Sequence, residues 1–235
     1  MKKLKRAKYI FIASFIIASS LLSATSFASA AVSDAKALAA AFSAAKGAVD
    51  VTLGADITIS SALKVGNGQN ITLDLNGHTI TSSAKSAAEV TGGILTIKNT
   101  AKGGALKCAA NGVIVTDGFF EINGGKMTTS STALITNGDN ASIIISGGSV
   151  NSGTNGVEIR KGNLEIKGIA TSVTAKKRSL VVHKEAKSVR ISGGTFKPTD
   201  GVTEWLVEGY EINSAGSVVW TREEYSPDSD DYERW

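Results

Sequence analysis

The chain of 235 residues is 42% hydrophobic but only 6% aromatic, with 25 glycines against two prolines and a single cysteine. Its formal charge of +4 sits at the N-terminus: without Lys2, Lys3, Lys5, Arg6 and Lys8 the rest holds 20 Lys+Arg against 21 Asp+Glu. A near-neutral body argues against nucleic acid as a partner, one cysteine excludes an intrachain disulfide, and about 205 residues suffice for one domain with a continuous core.

The five cations precede a mostly apolar stretch, Tyr9 to Leu22, and the small residues Ala28-Ser29-Ala30. This three-part layout predicts a secretory signal peptide over residues 1–30, its apolar part too short to span a membrane well. The mature chain is then secreted or held at the cell surface, with no membrane contact after cleavage. Residues 31–48 read as an N-terminal capping helix. Ser33-Asp34 supplies the cap, and Leu38, Ala41, Phe42 and Ala45 form one apolar stripe.

Over residues 49–198 one pattern recurs: Val51-Thr-Leu53, Leu73-Asp-Leu75, Leu95-Thr-Ile97, Phe120-Glu-Ile122, Ile143-Ile-Ile145, Leu164-Glu-Ile166 and Val189-Arg-Ile191. The step averages about 23 residues, the length of a solenoid repeat. Period-two alternation puts the flanking residues inside and Thr52, Asp74, Thr96, Glu121, Ile144, Glu165 and Arg190 in solvent. After the last apolar residue, Gly77, Asn99, Gly124, Gly147, Gly168 and Gly193 mark a corner that calls for positive φ. Each repeat has room for two more short strands, such as Gly112–Val115, Ala133–Ile135, Gly156–Ile159 and Leu180–Val182. The predicted fold is all-β: a single-stranded parallel β-helix (solenoid) of about seven coils. Residues 199–222 read as a C-terminal β cap and residues 223–235 as a mobile acidic tail.

Asp56-Ile-Thr-Ile with Ile71-Thr-Leu-Asp-Leu-Asn-Gly-His-Thr-Ile80 resembles the opening of pectate-lyase-like β-helix modules of exported bacterial proteins. Ile191-Ser-Gly-Gly-Thr-Phe196 with Gly209-Tyr210 resembles their usual close. The resemblance implies a right-handed coil and an extracellular setting. It also implies a role among surface architecture, adhesion, glycan contact and, less often, catalysis.

Enzymes on this fold group carboxylates, or carboxylates with Arg or Lys, on the outer face of neighbouring rungs. The outward candidates are Asp74, Glu121, Glu165 and Arg190, with about 10 Å between successive carboxylates. That spacing lies at the outer limit for an inverting pair, and tandem Asp motifs are missing from the rungs. A non-catalytic module is therefore the favoured reading, a polysaccharide lyase or hydrolase the alternative, and a structural spacer the third. Ile94 and Phe119 face outward on adjacent rungs with Ile144 nearby, a surface suited to sugar rings or a docked protein. Lys176-Lys177-Arg178 is the only dense basic run after the signal, either a solvated turn or a patch for acidic polymers. His78 reads as a corner residue, His183 as a surface residue and Cys108 as a small buried apolar group. Neither a metal site nor a cofactor motif is expected. The candidate partners are a glycan or a surface protein.

Overall fold

The computed structural model describes residues 31–221, so the expected signal peptide and acidic tail lie outside the described residues. The described chain is a parallel β-solenoid of about seven turns. Each turn runs through up to three strands, here termed faces A, B and C in chain order. Face A comprises Gly47–Thr52, Gln69–Asp74, residues 94–98, residues 119–122, residues 141–146, Gly162–Ile166 and Ala186–Ile191, all in parallel register. Face B runs from Ile57–Ile59 to Thr195–Lys197, and face C from Leu63–Val65 to Arg178–Val182.

Alternation decides which side of each strand is buried. On face A the inward ladder Val51, Leu73, Ile97, Ile122, Ile145, Ile166 and Ile191 is stacked rung on rung, each member at most 2% exposed. Its companion ladder of Ile71, Leu95, Phe120, Ile143 and Leu164 is equally buried. Each such side chain contributes about 1.5–3 kcal/mol of burial, and the rungs stand about 4.8 Å apart. The core is thus a continuous apolar column.

The register departs from the sequence reading at the second rung. Leu73 pairs with Ile97 rather than Leu95, and Asp74 pairs with Lys98 rather than Thr96. Ile71, Leu73 and Leu75 are all buried. Three alternating apolar residues allow a slip of two positions without turning any side chain to the wrong side, so period two alone cannot fix the register. Asp74 is a separate correction: it ends its face A strand on the outward side, yet it is 6% exposed because its carboxylate is taken up by Asn76 and Thr100 at the corner that follows.

The corner glycines also differ in detail. Gly77 and Gly168 take positive φ as expected, whereas in three other rungs the following residue does so: Gly125, Gly148 and Gly194. The first glycine of each pair instead lies against the preceding rung. A Cβ on Gly147 would stand 2.7 Å from the Asn123 carbonyl oxygen. In the third rung Asn99 is not left-handed; its Oδ1 accepts from the Gly77 N–H at 2.9 Å, and Gly103 carries the positive φ.

Both ends are covered. Asp34 caps the helix Ala35–Ala44 by accepting from the Ala37 N–H at 2.8 Å, and Leu38 and Phe42 are buried against the first rung. Gln69 Nε2 donates to the Phe42 carbonyl at 2.7 Å, satisfying an acceptor at the helix C-terminus. At the other end, Val207 N–H donates to the Ile191 carbonyl and continues the face A ladder past the last rung. Tyr210–Ile212 and Val218–Trp220 then form an antiparallel pair within the stretch read as a C-terminal β cap. Tyr210 meets Trp220 edge to face at 5.0 Å.

Candidate functional site

The outer side of face A carries the residues singled out by alternation. Ile94 pairs directly with Phe119, and both are half-buried. Ile144 stands in the next outward column, paired with Glu121 on one rung and Glu165 on the other. It is therefore diagonal to Phe119, within reach across the sheet surface. Thr96, Ser142 and Asn163 fill neighbouring outward positions, so an apolar strip is edged by short hydrogen-bonding groups.

The four candidate catalytic groups do not converge. Asp74 is committed to the corner: its carboxylate accepts from Asn76 N–H at 2.8 Å, Thr100 N–H at 3.1 Å and the Thr100 hydroxyl at 2.8 Å. Burial pushes its acidity one way, but these bonds and nearby Lys98 outweigh it and hold the carboxyl below its ordinary value. Glu121 accepts from the Ser146 hydroxyl one rung on, and Glu165 lies 3.7 Å from Lys167. Ile144 separates Glu121 from Glu165, placing them two rungs or about 10 Å apart. Arg190 is exposed at the last rung, paired in register with Glu165. Engaged carboxylates with an aliphatic side chain between them suit contact better than paired acid–base work.

Lys176 and Lys177 turn the corner from the face B strand Ser172–Ala175 into the face C strand Arg178–Val182, and all three basic residues are exposed. Their position adds something absent from the sequence reading. Lys177 and Arg178 line a groove of about 450 Å³ together with Val181, Asp200, Glu204 and Trp205. The C-terminal cap supplies the last three.

A second polar cluster escaped the sequence reading. Glu158, on the outer side of face C, has a side chain only 12% exposed and receives Arg160 Nε at 2.8 Å. His183 Nε2 lies 3.3 Å away, from the next rung. Burial would raise the pKa of Glu158, but hydrogen bonds from Arg160, Asn155 and His183 and the Arg160 charge prevail and lower it. The usable signal was the Glu158-x-Arg160 spacing, which places both side chains on one side of a strand.

Cys108 is buried, and burial pushes its thiol up to about 12. His78 occupies the corner, its Nδ1 3.6 Å from the Asp56 carboxylate. Among the described residues no group of three His, Cys, Asp or Glu side chains is placed to hold a metal ion. No family model matches the chain, and neither the curated proteins nor the solved structures hold a match to it.

Proposed function

We propose that this protein is an exported, non-catalytic surface module that contacts glycans, in an adhesive or attachment role, through the outer side of face A. The observation that carries the reading is the register pairing of Ile94 with Phe119, with Ile144 diagonal to Phe119 on the next rung and hydroxyl and amide groups alongside. An aromatic ring and two aliphatic groups on a flat sheet offer the apolar face of a sugar ring a stacking surface, while the adjoining polar groups accept and donate to its hydroxyls. Export rests on the layout of residues 1–30 and on the resemblance to pectate-lyase-like modules of exported bacterial proteins. Retention without turnover is supported by the state of the carboxylates: Asp74 is buried in a corner and Glu121 is bonded to Ser146. The test is a printed glycan array carrying residues 31–235, read both for retained protein and for loss of printed sugar. Retention with intact sugar supports the module; loss of sugar replaces it with a lyase or hydrolase.

A further inference from the structure

The groove between the last face C strand and the C-terminal cap has two walls of opposite charge. Lys177 and Arg178 come from the rung side, and Asp200 and Glu204 from the cap side, with Trp205 beside Glu204. Among the described residues none of these four charges forms an ion pair within 4.0 Å, although other exposed pairs on the same protein do, such as Lys167 with Glu165. Cations and carboxylates that share a groove but stay apart leave room for a ligand that satisfies both.

The walls are fixed rather than loosely apposed. Ser179 is fully buried, and its hydroxyl donates to the Pro198 carbonyl, tying the face C strand to the start of the cap. Trp205 N–H donates to the Val202 carbonyl at 3.1 Å in the short helical turn Thr203–Trp205, and Val202 is itself buried. Two residues on, the Val207 N–H bonds to Ile191 in the last rung. Trp205 packs partly on the core and turns its remaining surface to the groove. A groove anchored in this way holds in place the backbone from which the four charged side chains project.

We infer that this groove binds a saccharide unit bearing both an amine and an acidic group, that is, an amino sugar carrying a carboxylate or a phosphate. The inference rests on the glycan-contacting reading for the choice of a sugar, but it uses a different surface from face A. Arg178 and Lys177 receive the anion, Asp200 and Glu204 receive the ammonium, and the indole of Trp205 supports the ring.

Titration of full residues 31–235 with four small sugars, followed by backbone amide shifts in NMR, tests it. Muramic acid and glucosamine 6-phosphate carry both charges; glucosamine lacks the acid and N-acetylglucosamine 6-phosphate lacks the amine. Both zwitterions should shift the amides of Lys177, Arg178 and Gly201, and each single-charge analogue should bind at least tenfold more weakly. Arg178→Gln and Glu204→Gln, both at exposed positions, should each weaken the zwitterions about tenfold while leaving the rest of the spectrum in place. Equal binding of N-acetylglucosamine 6-phosphate would overturn the proposal in favour of a plain anion site. Absence of shifts at the groove, with retention on the array still dependent on Phe119, would overturn it and leave the face A reading standing.

Discussion

The carboxylate of Asp74 spans one rung to reach Thr100, accepting from its N–H at 3.1 Å and its hydroxyl at 2.8 Å while also holding the Asn76 N–H. One side chain thereby closes its own corner and fastens it to the next. Asp74→Ala should cost about 2 kcal/mol, the scale of a lost set of hydrogen bonds to a charged acceptor. Equilibrium denaturation in urea measures it; an unchanged midpoint would show that water replaces the carboxylate at no loss.

The same contact makes stability depend on pH. The folded carboxyl titrates below its ordinary value, so its contribution is complete above the ordinary aspartate range and is lost as pH falls through that range to the folded value. Glu158 acts in the same direction, being likewise held low by Arg160, Asn155 and His183 against its burial. The wild-type midpoint should fall on acidification, and Asp74→Asn should flatten part of that slope. Parallel slopes for the two proteins would remove Asp74 from the explanation.

Thr136 stands in an inward ladder between Val115 and Ile159, fully buried, and its hydroxyl has no partner among the described residues. Thr136→Val keeps the shape and removes an unsatisfied polar atom, so it should stabilise the fold by about 1 kcal/mol. Thermal unfolding should show a rise of a few degrees; a fall would mean that the hydroxyl is satisfied in solution.

Gly118 turns the corner from face C to face A at φ +87, and a Cβ there would stand 2.3 Å from the Gly93 carbonyl oxygen of the preceding rung. Gly118→Ala combines backbone strain with a clash that only a main-chain shift relieves, and should cost at least about 2 kcal/mol. The corresponding change at Gly47, where φ is +69 but a Cβ would meet no atom of the described residues within 4 Å beyond its chain neighbours, should cost less. Equal losses in the two variants would assign the whole effect to φ.

The coil was legible because two signals coincide in every rung: alternation buries one side of each strand, and Gly or Asn follows. The register between the second and third rungs was not, since Ile71-Leu73-Leu75 satisfies the core equally well after a slip of two. Hydrogen bonding of the corners, with Asp74 and Asn99 as the fasteners, chooses between the two registers. The Ile94–Phe119 pair was legible because both lie next to buried neighbours on the face A segments 94–97 and 119–122, which pair without a shift. The meeting of Glu158 with His183 was hidden by corners of unequal length, which make one rung 21 residues here and 25 there. Trp205 could not be placed beside Lys177 and Arg178 because the cap follows no repeat.

Replacement of Phe119 tests the central claim most directly. Phe119 is half-buried on the outer side of the sheet, so Phe119→Ala leaves the inward ladders intact. Residues 31–235 and the Phe119→Ala variant should be compared on the same glycan array, with Ile169→Ala as control, since Ile169 is 93% exposed in a corner away from the strip. The account predicts retention by wild type and control, at least tenfold weaker retention by Phe119→Ala, and printed sugar that stays intact throughout. Equal retention by all three proteins, or loss of the sugar itself, would contradict it.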